Sequence, residues 1–163
     1  MFRKMRRHKQ LLSKEECEKI LYKGTSGVLA LEGDNNYPYT VPMSYLYEDN
    51  KIYFHSAKSG HKIDSIKKNQ KVSFCVIDQD KIVPEEYTTY FRSVIVFGKI
   101  KIIEQEIEKR KAIEKLAIKY ASEDSIDNRK KAIENEYNAL CMIELSIEHI
   151  SGKEAIELVN KKQ

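Results

Sequence analysis

Apolar and polar positions alternate along this chain with two periods, and the changes between them mark out the elements. Ser13-Lys14-Glu15-Glu16 is a capping box, a serine N-cap followed three residues later by glutamate. It opens a helix that runs to about Tyr22, turns Cys17, Ile20 and Leu21 inward and ends at Gly24. Residues 1–10 ahead of it read as an extended arm, ordered only where it docks. The period then shortens to two. Gly27 to Leu31 is a short apolar strand, and Gly33-Asp34-Asn35-Asn36 is a turn by composition. Tyr37 to Tyr47 alternates as a second strand, with Pro42 in its middle. A proline cannot donate a ladder hydrogen bond, so an edge or a bulge is expected there. Ile52-Tyr53-Phe54 follows the polar Glu48-Asp49-Asn50 turn as a third strand. It leads into a short helix with Ile63 and Ile66 on one face.

Lys71 to Asp78 is the next strand, with Val72, Phe74 and Val76 on one face, and Gln79 to Thr89 is a polar loop. Phe91 to Ile103 is the longest strand, with a bulge or bend expected at Gly98. Glu106 to Tyr120 is helical, its isoleucines and Leu116 set among Glu/Lys pairs at helical spacing. Asp127 to Tyr137 is a second helix capped by Asp127 or Ser125, and Cys141 to Ile150 is a final strand ended by Ser151-Gly152. The pattern gives about six strands in mostly meander order with helices at the margins, an arrangement that closes most easily into a small barrel. Val28, Leu29, Val72, Phe74, Val94 and Val96 are expected to fill it.

Composition narrows the class. The chain is 163 residues long, 41% hydrophobic and 33% charged, which suits one folded domain over 1–163. The arm at 1–10 and a helical insertion at 106–137 are its appendages. No apolar run approaches the roughly 18 residues that span a bilayer, and the charged start lacks a signal peptide's apolar segment, so a cytoplasmic protein is expected. Cys17, Cys75 and Cys141 are far apart with no CxxC and read as reduced structural thiols. The net charge of +4 comes from lysines interleaved with glutamates, which argues against a nucleic-acid surface.

Candidate chemistry concentrates between Lys51 and Gln70. Ala57-Lys58-Ser59-Gly60-His61-Lys62 places small residues, a hydroxyl and cationic or titratable groups at a strand-to-helix turn. A helix N-terminus offers unpaired N–H groups, Gly60 lets the backbone come close, Ser59 can donate a hydrogen bond and Lys62 brings a full charge. That combination suits an anion, although the same residues also make an ordinary basic surface turn. His55 and His61 are six positions apart across the turn, a spacing that matches no standard ligand set, and no metal site is expected.

The ordered blocks Val41-Pro42-x-x-Tyr45, IYFHSAxxGHK over 52–62, VxFxV over 72–76, RSVIVFGK over 92–99 and IEHISGK over 147–153 carry a resemblance. The chain resembles the pyridoxamine 5′-phosphate oxidase-like, FMN-binding split-barrel superfamily. It is most similar to the nitroimidazole-resistance branch, down to the Met5-Arg6-Arg7 start. The resemblance implies a mainly β (α+β) fold, a six-stranded antiparallel Greek-key split β-barrel that binds FMN as a homodimer with flavin sites at the interface. It implies that Thr40, Val41, Pro42, Met43, Ser44 and Tyr45 line the flavin ring and ribityl chain, that His55 and Ser56 lie beside the flavin, that His61 and Lys62 bind the phosphate, and that Ser93 approaches the ring. His61-Lys62 stands where the oxidases proper carry Arg-Lys, and the oxidases' C-terminal arginine–tryptophan elements are missing, so vitamin B6 oxidation is not what the resemblance implies. The expected activity is flavin-dependent reduction of a nitroaromatic such as a 5-nitroimidazole, with His55 as the catalytic or cofactor-tuning group. A flavin carrier or redox sensor without turnover, and a haem-binding split-barrel protein, are the other readings.

Overall fold

The computed structural model describes residues 1–161. In chain order the elements are α1 (Lys14–Lys23), β1 (Ser26–Glu32), β2 (Pro38–Ser44), β3 (Leu46–Glu48), β4 (Lys51–Ala57), α2 (His61–Lys68), β5 (Lys71–Val83), β6 (Thr88–Ile102), α3 (Glu106–Tyr120), α4 (Ile126–Glu136), β7 (Leu140–Glu154) and α5 (Ile156–Asn160). Local chemistry accounts for most of the boundaries. Ser13 caps α1 in a complete capping box, its Oγ accepting from the Glu16 N–H at 3.2 Å while the Glu16 carboxylate accepts from the Ser13 N–H at 2.9 Å. Ser125, rather than Asp127, caps α4 by accepting from the Asn128 N–H at 3.1 Å.

The strands form one antiparallel sheet in the order β2-β1-β5-β6-β7-β4-β3. Its two edge strands, β2 and β3, are neighbours in the chain and are separated only by Tyr45. The sheet therefore curls until its edges nearly meet without hydrogen-bonding to each other, which is the split barrel. There are seven strands where six were expected, because the strand read over Tyr37–Tyr47 is broken at this seam. Pro42 sits on an edge strand, where its missing N–H leaves no gap in the sheet.

Tyr45 is fully buried, its ring edge-on to Phe74 at 5.0 Å and its hydroxyl donating to the Leu21 carbonyl at 2.8 Å. Its backbone groups, which no strand satisfies, are bonded from α3. The Tyr120 hydroxyl accepts from the Tyr45 N–H at 2.8 Å, and the Lys119 ammonium donates to the Tyr45 carbonyl at 3.0 Å. Inside the barrel, Leu29, Ile52, Phe54, Phe74, Val94, Val96, Ile100, Ile143 and Leu145 are fully buried.

Four expectations change. Val28 is 39% exposed, because strand alternation turns Leu29 and Leu31 inward and Val28 out. The polar loop expected from Gln79 is a long hairpin, since β5 pairs with β6 as far as Val83↔Thr88 beyond a bulge between Ile77 and Gln79. Ser151-Gly152 does not end β7, because β6 supplies partners up to Glu154. The short helix α5 was not foreseen. The irregularity expected at Gly98 is present, with the register against β7 shifting between Phe97 and Gly98. A Cβ on Gly98 would lie 2.1 Å from the Ser146 carbonyl oxygen, so only glycine fits. The N-terminal arm docks, Gln10 Nε2 donating to the Glu154 carbonyl at 2.9 Å and Phe2 stacking on His149 at 4.6 Å. No helix among the described residues is long and apolar enough to cross a membrane.

Candidate functional site

A cleft of about 640 Å³ opens where β4 ends and α2 begins, a size suited to a small-molecule ligand. Its wall is built from three distant parts of the chain: Tyr39 of β2, the residues from His55 to Lys62 other than Lys58, and Glu136, Ala139 and Leu140 at the α4–β7 junction. Alternation along β4 sends Ile52 and Phe54 into the core and leaves Tyr53 and His55 on the other face. Ala57 pairs with Leu140, so the end of β4 and the start of β7 form one floor.

Gly60 is the N-cap of α2 at φ 117°, ψ 170°, a region open essentially only to glycine. It contributes no capping side chain; the Ile63 and Asp64 amides bond its carbonyl at 2.9 and 3.1 Å, while those of His61 and Lys62, at the cleft, have no side-chain acceptor. Ile63 and Ile66 anchor α2 to the core, and Lys67 and Lys68 lie in its last turn, where they complement the dipole. The side chains of Asn69 and Lys68 fix the helix end to Glu32 at 2.8 and 2.9 Å.

Lys62 is the most informative side chain. Burial holds its ammonium below the usual lysine range. It donates to the Met43 thioether at 3.2 Å, a weak acceptor, and makes no ion pair among the described residues. A half-desolvated cation with so poor a partner, beside the unblocked amides of α2 and the hydroxyls of Ser56 and Ser59, fits a phosphate-sized anion. His61 shapes the wall of the cleft: its ring stacks on Tyr39 at 4.0 Å, and its Nε2 lies 3.7 Å from the Asp34 carboxylate.

The structure thus brings His55, Ser56, Ser59, His61 and Lys62 to one cleft. Met43 joins them through Lys62. Thr40, Pro42 and Ser44 are exposed along the edge strand and Val41 packs toward the core. The Tyr45 ring is in the core and its N–H is taken by Tyr120, so its side chain does not line the cleft. Ser93 lies in the body of the sheet between Ile77 and Lys153, outside the cleft lining. Glu136, Ala139 and Leu140 were not foreseen as site residues; nothing in the sequence near them signals it, because only the return of β7 beside β4 brings them there. Arg92 is an ion-pair residue, 3.0 Å from Glu154 and 3.5 Å from Asp78.

Comparison with known proteins follows the same lines. The family model for pyridoxamine 5′-phosphate oxidase matches residues 13–154. A candidate 5-nitroimidazole antibiotic resistance protein from Bacteroides thetaiotaomicron superposes with a TM-score of 0.72 at 23% identity, covering 88% of this chain and 86% of that one. An FAD-binding protein from Mesorhizobium loti gives a TM-score of 0.63 at 26% identity, covering 90% and 97%. An FAD- and haem-binding protein from Mycobacterium smegmatis gives 0.70 at 17% identity, covering 95% and 80%. No curated protein matches the chain.

Proposed function

The chain belongs to the pyridoxamine 5′-phosphate oxidase family, and from that premise we propose that it is a flavoprotein whose cleft holds FMN and that it reduces nitroaromatic compounds of the 5-nitroimidazole type. The observation that carries the reading is Lys62, a half-desolvated ammonium with only a thioether as acceptor beside an uncapped helix N-terminus. The flavin, when bound, supplies the electron transfer. The protein supplies placement. Lys62, the first amides of α2 and the hydroxyls of Ser56 and Ser59 hold the phosphate, while the exposed edge from Thr40 to Ser44 offers backbone groups to the ring. Tyr39, Ala57 and Leu140 keep water from the phosphate end. His55, exposed at the cleft, holds or releases a proton for the reduced substrate. Support for the substrate class comes from the likeness to the Bacteroides protein, and the three free thiols agree with a reducing, cytoplasmic setting.

The assembly we propose is a homodimer with the flavin at its interface. The outward positions of the sheet include Val28 on β1, beside the edge strand β2, and Ile95 and Phe97 on β6, each between 38% and 40% exposed.

The visible spectrum of the purified protein, with an equilibrium titration by FMN, tests the reading. Flavin bands or micromolar binding support it; a haem spectrum, or a colourless protein that takes up no flavin, overturns it. At equal flavin loading, His55→Ala should retain FMN and lose most nitroreductase activity, and equal turnover by the two proteins would remove His55 from the chemistry.

A further inference from the structure

The cations of this chain are unevenly placed. Arg3, Lys4, Arg6, Arg7 and Lys9 put five permanent positive charges into a stretch of nine residues that holds no acid. Of the 29 lysines and arginines, the other 24 face 25 acids, so this arm holds the whole of the positive excess. All five side chains are exposed, and none makes an ion pair among the described residues.

The arm is held in place at both ends. β7 pairs with β4 only as far as Ser146, which leaves the edge of its second half to other partners. Residues 10–12 take that edge: Leu11 pairs with Lys153, the Leu12 N–H donates to the Gly152 carbonyl at 3.0 Å, and Gln10 is buried on the Glu154 carbonyl. Farther out, Phe2 stacks on His149 at 4.6 Å and tilts against Phe97 at 5.5 Å. The cations between these anchors are therefore displayed together along the barrel. Neither acid of this stretch of β7 is left to neutralise them. Glu148 lies 3.7 Å from the Lys99 ammonium, and Glu154 is buried against Arg92 at 3.0 Å. Apolar groups accompany the charges, since Met1 is fully exposed and Phe2 is 41% exposed in spite of its stack.

We propose that residues 1–9 dock this protein on an anionic phospholipid surface, with the five cations against the lipid headgroups and Met1 and Phe2 at the apolar boundary beneath them. The proposal goes beyond the flavin reading and does not depend on it. A lipid surface fits the arm better than a nucleic acid does, for a structural reason. Nucleic-acid phosphates are fixed along a backbone, and a protein neutralises them with cations spread over many positions. Outside the arm this chain is balanced in charge and continues no such track. Anionic lipids diffuse laterally and gather beneath one compact cluster, and apolar side chains beside cations suit the interface. Each lysine or arginine near such a surface is worth about fivefold in binding, so five give on the order of a thousandfold.

Co-sedimentation of the full-length protein with vesicles tests this, using phosphatidylcholine alone and phosphatidylcholine with about one-third phosphatidylglycerol. At about 0.1 M salt, half the protein should bind the anionic vesicles at roughly 0.1–1 mM accessible lipid. It should stay in solution with phosphatidylcholine alone. Raising the salt to about 1 M should release it, because the Debye length falls from about 10 Å to about 3 Å. Arg6→Gln combined with Arg7→Gln should weaken vesicle binding about 25-fold, and Arg3→Gln combined with Lys4→Gln about as much. Thermal unfolding and flavin content should stay as in the wild type, because all four side chains are exposed. Wild-type protein that stays in solution with anionic vesicles at low salt overturns the proposal. So does vesicle binding that both double variants retain in full, or binding of single-stranded RNA at phosphate concentrations too low to bind lipid. Each of these results leaves the flavin reading standing, since the FMN titration reads that separately.

Discussion

Lys62 shows how a residue proposed to bind a ligand can weigh against the stability of the protein that carries it. Its pKa is lowered by burial, so in the ligand-free fold the charged form is disfavoured relative to the unfolded chain. For a base lowered in this way the penalty is full at pH values below the folded pKa. It vanishes as pH rises to the ordinary lysine value of about 10.4. Lys62→Met keeps an unbranched apolar side chain against Met43, one atom shorter, and removes the charge. The flavin-free variant should therefore be more stable than wild type to denaturant at pH 7, with the gap closing near pH 10. The same variant should bind FMN about 10–150-fold more weakly, the loss expected for one charge-assisted hydrogen bond. Equal stability at both pH values, or unchanged FMN affinity, would remove Lys62 from this role. Gly60 has a complementary part: at φ 117° it sets the direction of α2 while leaving the first amides uncovered, which no residue with a Cβ does without strain.

Among the elements, α3 has a task its amphipathic pattern does not reveal. The barrel seam leaves Tyr45 outside both edge strands, and two side chains at the end of α3 take over the missing ladder bonds. The Lys119 ammonium also donates to the Gly24 carbonyl at 2.5 Å and sits 4.4 Å over the Tyr45 ring, so α1, the seam and α3 are tied at one point. Tyr120→Phe deletes the acceptor for a buried N–H and should cost about 1–3 kcal/mol in denaturant unfolding. Faster hydrogen exchange at the Tyr45 amide should accompany it, and exchange as slow as in wild type would show that the seam does not depend on this hydroxyl. The sequence shows α3 clearly, bounds included, through its Glu/Lys spacing. It cannot show what Tyr120 reaches, because Tyr120 and Tyr45 are 75 residues apart.

For the molecule as a whole, the barrel interior is filled by side chains, so a flavin must lie against the outside of the sheet. Shielding it there needs a second surface, and a two-fold axis supplies one that is self-complementary. The wild-type protein should sediment at about twice its 19.1 kDa chain mass at micromolar concentration. Ile95→Lys, which places a charge among Val28, Cys75 and Phe97 on the outward face, should shift it toward the single chain and lower FMN affinity. A single-chain mass for the wild type would end the shared-site proposal.

What the sequence determined by itself is local. The capping box at Ser13, the turn at Gly33 to Asn36, the irregularity at Gly98 and the glycine-led start of α2 each depend on residues within a few positions of one another. Their physical causes, capping hydrogen bonds, allowed dihedrals and an exposed helix terminus, can therefore be read in the chain. The tertiary structure decided everything that required a distant partner. β5 and β7 run beyond their apolar segments because β6 offers hydrogen bonds as far as Val83 of β5 and Glu154 of β7. Val28 faces outward because register, rather than hydrophobicity, sets which alternate residues enter the barrel. His61 meets Asp34 because α2 packs against the end of β1, and Glu136 enters the cleft that holds Lys62 because β4 pairs with β7. A side chain's charge is written in the sequence, but which other charges it faces is fixed only when the strands have paired.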